Sequence, residues 1–219
     1  MTPYYQDETV TLYHGDCREI LPQLDGIDAV ICDPPYDVGA DVWDKPSQDI
    51  VMMGLRQTAG PVVAFGAAAR LQQDLLAFTQ SPDRVLIWNV SFSLSPAQSD
   101  GIFYRWHPIY CWQLPKQHDG PKIDVLSFGT DGHNWWDHRA TKPLDLMDAL
   151  IGLAPSGGTL CDPVAGSGTT LCAAIQRGRK AIGIELEERY CEIIVKRIHE
   201  AQGKMRVFDG GIEQPALLT

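Results

Sequence analysis

The 219-residue sequence lacks the features that mark several classes of protein. No run of 18 apolar residues is present, so we expect no transmembrane helix. The first ten residues, MTPYYQDETV, contain neither a basic segment nor an apolar one, so no secretory signal is visible. Together these absences predict a protein of the cytoplasm.

Paired cysteines are also missing, because no Cys-x-x-Cys occurs among the six. Several cysteines lie in apolar segments, which is typical of small core residues, and we predict reduced, structural thiols. His133 and His138 have a loose ligand-like spacing, but no second pair accompanies them, so no metal site is predicted. The six cysteines are Cys17, Cys32, Cys111, Cys161, Cys172 and Cys191.

Basic residues are scarce, because the sequence has 18 Lys and Arg but 28 Asp and Glu, which gives a net charge of −10. Proteins that bind nucleic acids usually carry a basic surface. Any contact with a polyanion must therefore be a local patch on an acidic body. The apolar share of 44% and the charged share of 21% are those of an ordinary globular protein, and the length predicts one domain.

Strand-like and helix-like segments alternate along the chain, which predicts an α/β fold with helices on both faces of a largely parallel sheet. The least patterned stretches are 90–104 and 113–140, and loops of that length are usually functional. The predicted strands are 10–14, 28–32, 61–65, 84–88, 107–112, 158–161 and 181–185. The predicted helices lie near 48–58, 67–79, 143–154, 168–177 and 187–200.

The stretch ICDPPYDVGA, residues 31–40, leads an apolar strand into Asp33, Pro34, Pro35 and Tyr36. One interpretation is a plain strand-terminating turn, because proline donates no hydrogen bond to a sheet. The other is a rigid turn that presents a carboxylate and an aromatic ring to a ligand. The choice between them depends on what the rest of the chain places beside this turn.

A second stretch, GGTLCDPVAGSGTTLCAAIQ, leads a short strand into Asp162 and a loop of small residues before an Ala-rich helix. Glu185 ends the next strand, 17 residues after Gly168. Glycines let backbone amides approach a ligand, and an acid in that place accepts hydrogen bonds from ribose hydroxyls. No Gly-Lys-Ser/Thr is present, and the Asp162 carboxylate would repel a phosphate but attract a cation such as the amino group of S-adenosylmethionine. The alternative is a Gly-rich turn followed by a solvated glutamate.

Read together and in this order, DPPY and DPVAGSGTT resemble the motifs of the amino-directed DNA methyltransferases, in the β-class arrangement. YHGDCREILPQL and ATKPLDLMDALI resemble two further segments of that family, and the likeness extends over about residues 10–200. The resemblance implies a circularly permuted, Rossmann-like S-adenosylmethionine-dependent methyltransferase fold, with a doubly wound mixed sheet. It implies one methyltransferase domain over residues 1–219, with a short target-recognition insertion at about 113–140.

The resemblance assigns catalytic roles to Asp33, Pro34, Pro35 and Tyr36. Asp16 would face the adenine of the cofactor, and the Lys142–Pro143 segment would pack on its methionine end. Val164 departs from the family pattern, which has Phe there, and removes an aromatic wall of the cofactor pocket. The full set of implied cofactor-binding residues is Asp16, Cys17, Asp33, Lys142, Pro143, Asp162, Pro163, Val164, Ala165, Gly166, Ser167, Gly168, Thr169, Glu185 and Leu186.

The family chemistry explains the prolines of the first motif. An exocyclic amine is a poor nucleophile until two acceptors hold its hydrogens, and Asp33 and the Pro34 carbonyl would supply them. Tyr36 would stack on an adenine flipped out of duplex DNA. Aspartate at the first motif position favours adenine-N6 within the family. Cytosine-N4 in DNA, an RNA substrate, and a non-catalytic S-adenosylmethionine-binding module are the alternatives.

The short segment 113–140 predicts a short or degenerate recognition site. Such a site would suit a phage or restriction-modification enzyme, and the protein would be a monomer or a homodimer. Trp135 and Trp136 would stack on DNA while His138, Arg139 and Lys142 meet phosphates, or else the tryptophans anchor a loop. The basic cluster Arg177, Arg179 and Lys180 is interpreted as a solvated helix end.

Overall fold

A computed structural model describes residues 1–36, 48–90, 104–129 and 141–208. Nine strands of the described residues form one sheet, in the order β1-β2-β9-β8-β3-β4-β6-β5-β7. The strands are β1 (Tyr5–Gln6), β2 (Val10–His14), β3 (Ala29–Cys32), β4 (Val62–Phe65), β5 (Arg84–Asn89), β6 (Trp106–Trp112), β7 (Val125–Ser127), β8 (Leu160–Asp162) and β9 (Ala181–Glu185). The helices are α1 (Cys17–Ile20), α2 (Gln48–Gln57), α3 (Leu71–Ala77), α4 (Leu144–Ile151), α5 (Thr169–Gln176) and α6 (Glu188–Phe208).

The centre of the sheet is parallel, antiparallel pairs lie toward both ends, and the edge strand β7 pairs in parallel with β5. Strands β2, β9, β8, β3 and β4 run in one direction, so their carboxyl ends lie along one edge. β6 pairs antiparallel with β4 and with β5, and β1 pairs antiparallel with β2. Ligands of open α/β sheets bind outside the carboxyl ends of the strands, so this edge is where a site is expected.

Apolar side chains cover both faces of the sheet. On one face Leu146, Leu171 and Ile194, from α4, α5 and α6, belong to the larger core with Ile31 and Val63. On the opposite face the smaller core takes in α1, the 3₁₀ turn at Leu21–Gln23 and α2. The sheet is therefore doubly wound, as predicted.

Most element predictions are confirmed, two of them to the residue: the strands 10–14 and 181–185 are β2 and β9. These two are also paired in parallel, as the permuted order predicts. Three elements were not predicted, namely β1, β7 and α1. They have two, three and four residues, too few to show a period.

The structure also decides the surroundings of the cysteines and of Arg179. All six cysteines are free and buried, as expected for structural thiols. Arg179 is not solvated, because its guanidinium is buried and donates to the carbonyls of Ile151, Pro155 and Gly158. No helix in the described part of the chain is long and apolar enough to cross a membrane.

Candidate active site

The two sequence motifs meet at the carboxyl edge of the sheet. β3 and β8 are neighbours, with Ala29 opposite Leu160 and Val30 opposite Cys161. Asp33 directly follows β3 and Asp162 ends β8, so the two carboxylates lie beside one crevice. Each one acts electrostatically on the buried thiol of Cys32, raising its pKa in addition to the larger effect of burial.

Asp33 is held by partners on both of its oxygens. The hydroxyl of Tyr36 donates to Oδ1, and the ammonium of Lys142 donates to Oδ2. Pro34 is buried and Pro35 is partly buried, which fixes the turn between Asp33 and Tyr36. Burial, followed by the charge of Asp33, raises the pKa of Tyr36 well above its ordinary value, so its hydroxyl stays protonated.

Lys142 lies inside the site, since only 9% of its side chain is exposed. It precedes Pro143, the residue that caps α4. A phosphate contact by Lys142 is therefore wrong, because the ammonium is buried against Asp33. Pro143 follows in the segment predicted to bind the cofactor's methionine end.

Aromatic side chains from three strands line the space beside Tyr36, and the motifs did not reveal them as site residues. The Trp88 and His107 rings stack with centroids 5.3 Å apart, and His107 lies 6.3 Å from the Tyr36 ring. Phe65 packs edge-on against Trp88 at 6.3 Å. His107 Nδ1 lies 3.2 Å from the Gly66 carbonyl oxygen. Burial, and to a lesser degree Lys142, lowers the pKa of His107, which keeps the imidazole neutral.

Asp162 is a buried carboxylate that accepts two hydrogen bonds. The Val164 amide donates to Oδ1 at 3.1 Å, and the Thr170 hydroxyl donates to Oδ2 at 2.5 Å. Burial raises the pKa of Asp162 from 3.8 to about 7, against the opposing effect of these bonds. No cation of the described residues forms an ion pair with it, so the site favours a positively charged ligand.

The loop between β8 and α5 needs its two glycines. Gly166 has φ 53° and Gly168 has φ 81°, a region that other residues rarely adopt. A Cβ on Gly168 would also lie 2.9 Å from Ile194. The Gly166 amide donates to Glu185 Oε2 at 2.8 Å, which ties the loop to the end of β9.

Glu185 is buried and accepts a second bond, at 2.8 Å, from the Glu187 amide. Burial raises its pKa. Leu186, the next residue, is 60% exposed, and its carbonyl oxygen lies 3.1 Å from His14 Nε2. A carboxylate beside an exposed apolar side chain suits a ribose next to a planar base.

The remaining predicted cofactor residues surround this loop. Pro163 is buried, Ala165 is buried, and the Val164 side chain packs on the smaller core. Asp16 caps α1 by accepting from the Arg18 amide at 2.8 Å, and Cys17 is buried behind it. Gly15, between β2 and Asp16, donates to the Glu185 carbonyl at 2.9 Å, so Asp16 follows the strand end next to Glu185.

Arg197, on α6, supports the loop from outside and was not predicted. Its guanidinium donates to the Ser167 carbonyl at 2.6 Å and lies 3.3 Å from the Thr169 hydroxyl. The Thr141 and Ser167 hydroxyls are 3.4 Å apart, which joins the Lys142 segment to the same loop. Trp135, Trp136, His138 and Arg139 lie outside the described residues.

Comparison with known proteins identifies the arrangement. A family model described as DNA methylase, of the N6/N4 type, matches residues 95–196. The Type II methyltransferase M.ScaI of Streptomyces caespitosus is 26% identical over 91% of this chain and 85% of its own length. The Type II methyltransferase M2.LlaDCHI of Lactococcus lactis subsp. cremoris is 24% identical over 90% of this chain and 92% of its own.

Solved structures share the fold. The crystal structure of the M1.HpyAVI–SAM complex matches with a TM-score of 0.65 and 21% identity, over 86% of this chain and 99% of that one. The cytosine-N4-specific PvuII DNA methyltransferase matches with a TM-score of 0.71 and 16% identity, over 93% and 94%. The family model and the Type II methyltransferase relatives support an N6/N4 DNA methyltransferase.

The site fits S-adenosylmethionine, the cofactor that the family model and the solved neighbours imply. Asp162 could offer a buried negative charge to the amino group, and the Gly166–Gly168 loop could let backbone amides approach the ligand. Glu185 could offer acceptor oxygens to the ribose hydroxyls, and the exposed Leu186 side chain could offer an apolar surface to the adenine. The decisive observation is that Asp162 is buried and has no basic partner among the described residues. A buried carboxylate needs a positive charge beside it, and a cationic ligand would supply that charge.

Proposed function

We propose that this methyltransferase transfers a methyl group from S-adenosylmethionine to the N6 amine of adenine in DNA. The observation that carries the proposal is the position of Asp33, at the end of the strand next to Asp162 and the glycine loop. A base held by Asp33 would lie beside a cofactor held by Asp162 and Glu185. An accessory module that only binds cofactor would not need the intact turn of Asp33 to Tyr36.

The residues of the turn suit the activation of an aromatic amine. The lone pair of such an amine is delocalised into its ring, so it attacks only when its hydrogens are held and its nitrogen faces the electrophile. The Asp33 carboxylate and the Pro34 carbonyl would each accept one hydrogen. When bound, S-adenosylmethionine supplies an electrophilic methyl group on a sulfonium. The amine nitrogen bonds to the methyl carbon as the carbon–sulfur bond breaks, sulfur keeps that electron pair, and the nitrogen releases one proton.

The aromatic residues beside the turn suit a planar base. Tyr36 would stack on the base, and Phe65, Trp88 and His107 form an apolar wall behind it. Because the site lies at the end of a sheet, the base has to leave the duplex to reach Asp33. The neutral His107 adds no positive charge to this wall.

The preference for adenine rests on aspartate at the first motif position, which favours adenine-N6 in the family. Cytosine-N4 is the second candidate, because a neighbour with a TM-score of 0.71 is named as cytosine-N4-specific. RNA stays a third candidate, because the acidic body of −10 makes affinity for any polyanion depend on a local patch.

We further propose recognition of short, degenerate DNA sites. The described part of the predicted insertion, 113–129, carries exposed Lys116, Gln117 and Lys122 near β7, an edge strand of the sheet. The Lys122 ammonium donates to the His118 carbonyl, which leaves fewer side chains for reading bases. Each bidentate base contact contributes about 1–3 kcal/mol of discrimination, and a segment this short presents few of them.

The direct test is transfer of tritium from labelled S-adenosylmethionine to genomic DNA from a methyltransferase-deficient strain, followed by nucleoside analysis. We expect N6-methyladenine from the wild type. We expect none from Asp33→Ala or Tyr36→Ala, with cofactor affinity nearly unchanged in both. Asp49→Ala is the control, because that carboxylate is exposed and pairs only with Arg18 in the described structure.

Each other outcome has a definite meaning. N4-methylcytosine in the product would show that the target base is cytosine and not adenine. Labelled RNA with unlabelled DNA would overturn the DNA substrate. Full activity in Asp33→Ala would remove the turn from the chemistry, and a collapse of cofactor binding in the same variant would make the turn structural.

A further inference from the structure

Lys142 reaches the catalytic turn from a distant part of the chain. Its ammonium donates to Asp33 Oδ2 across 109 residues of sequence. The resemblance assigned it to the cofactor, yet its partner in the structure is the carboxylate that faces the base. The pair is the only ion pair of Lys142 among the described residues.

The surroundings of Lys142 fix the ammonium in place. Nζ lies 5.5 Å from the centroid of the Tyr36 ring and 5.2 Å from that of Phe65. Both distances are within the range of a cation–π contact. Thr141 on one side is bonded to Ser167, and Pro143 on the other begins α4, so the backbone of Lys142 is held at both ends.

The two partners of Asp33 differ in what their loss would do. Removing Lys142 would leave the Asp33 carboxylate, 23% of whose side chain is exposed, without its counter-charge and with the Tyr36 hydroxyl as its remaining side-chain donor. Removing the Tyr36 hydroxyl would take away one neutral donor from Oδ1 and leave the ion pair on Oδ2 intact. The hydroxyl is therefore the partner that an incoming donor replaces.

We propose that Lys142 is a positioning residue that holds Oδ2 of Asp33 throughout turnover. The target amine then takes the place on Oδ1 that the Tyr36 hydroxyl leaves, while the Tyr36 ring turns to stack on the base. This inference rests on the proposed function, because it concerns the same amine. In the free enzyme both oxygens of Asp33 are therefore already bonded, and the base binds Asp33 only by replacing the Tyr36 hydroxyl.

The charge of Lys142 does not explain its place, since a cation beside Asp33 opposes the positive charge that develops on the amine nitrogen. What it supplies is a directed donor to one oxygen of the carboxylate. A neutral donor at the same place should therefore conserve much of the effect, whereas an apolar side chain of similar length should not.

Lys142→Gln and Lys142→Met form the matched pair that tests this. Single-turnover methyl transfer to the same genomic DNA should fall about 100-fold in Lys142→Met, the size expected when a reacting group is misplaced by an ångström. It should fall less than about tenfold in Lys142→Gln, because the amide still donates. The dissociation constant of S-adenosylmethionine should stay within about twofold in both.

Equal losses in the two variants, with equal melting temperatures, would overturn the donor role. A large rise in the cofactor dissociation constant would overturn it too and return Lys142 to the cofactor site. If both variants melt well below the wild type, the comparison moves to Lys142→Arg, which keeps a donor and a charge. Arginine that fails to support transfer in a folded protein contradicts the proposal.

Tyr36→Phe tests the exchange at Oδ1. It keeps the ring and removes the hydroxyl, so transfer should remain within about tenfold of wild type, well above that of Tyr36→Ala. A Tyr36→Phe enzyme as inactive as Tyr36→Ala would refute the exchange. Failure of the proposed function itself has a different signature, namely full activity in Asp33→Ala whatever Lys142 does.

Discussion

Lowering the pH from 7 to 5.5 should weaken S-adenosylmethionine binding chiefly through the carboxyl group of Asp162. Asp162 is buried, and its pKa is raised to about 7 chiefly by that burial. Only the ionised form attracts the amino group of the ligand. That amino group stays protonated over this interval, because α-amino groups have pKa values of about 7.7–8.0.

The size of the effect follows from the ionised fraction. With a pKa of about 7, that fraction falls from about one half at pH 7 to about 3% at pH 5.5. If only the carboxylate form binds, the affinity falls about fifteenfold, which is between about 1 and 2 kcal/mol. At pH 6 about 90% of Asp162 is protonated in the free protein, so binding there should release about 0.9 proton.

Isothermal titration calorimetry at pH 6, in two buffers of different ionisation enthalpy, measures the released proton. Asp162→Asn is the matched control, since it keeps the shape of the side chain and removes the titration. It should bind weakly at every pH and release no proton. Wild-type affinity that stays constant from pH 7 to 5.5, or an equal pH dependence in Asp162→Asn, would refute the reasoning.

The same group affects the stability of the free protein, with the opposite dependence on pH. The folded pKa of about 7 lies above the ordinary 3.8, so between these values the folded state holds a proton that the unfolded chain has released. Stability therefore falls as pH rises from about 4 to 7, by at most about 4 kcal/mol. Urea unfolding at several pH values measures this effect. The free energy of unfolding should change less with pH in Asp162→Asn than in the wild type.

Three further predictions concern other parts of the molecule. Glu185→Ala should weaken cofactor binding by about 1–3 kcal/mol in calorimetry. Glu188→Ala is the control, because Glu188 is exposed, and equal affinities in the two variants would exclude the ribose contact. Arg179→Ala should lower the free energy of unfolding by about 2–3 kcal/mol, because three carbonyls lose their donor. Lys180→Ala should have little effect, because Lys180 is exposed. Equal losses in the two variants would show that the bonds of Arg179 do not stabilise the fold. Long-read sequencing of DNA from expressing cells should find methylated adenines at many short sites, and confinement to one motif of about six bases or more would contradict degenerate recognition.

The sequence alone indicated the N6/N4 methyltransferase type, the cofactor and the pairing of β2 with β9. Apolar runs bounded by turn residues located β2 and β9 to the residue, because a buried strand needs such a run and the turns end it. The permuted motif order placed both Asp-Pro motifs at one edge of the sheet, because ligand loops follow the carboxyl ends of parallel strands. Local patterns were sufficient for these features because they depend on residues close in the chain.

Only the tertiary structure decided which side chains meet. Lys142 looked like a cofactor or phosphate contact, and the fold places it on Asp33, 109 residues away. Arg179 looked like a solvated helix end, and the fold buries it under three carbonyls. His107 and Arg197 carry no motif, yet one lines the site and the other supports its loop. A long side chain chooses among all partners within reach of its tip, and that choice depends on the packing of distant segments, which no local pattern records.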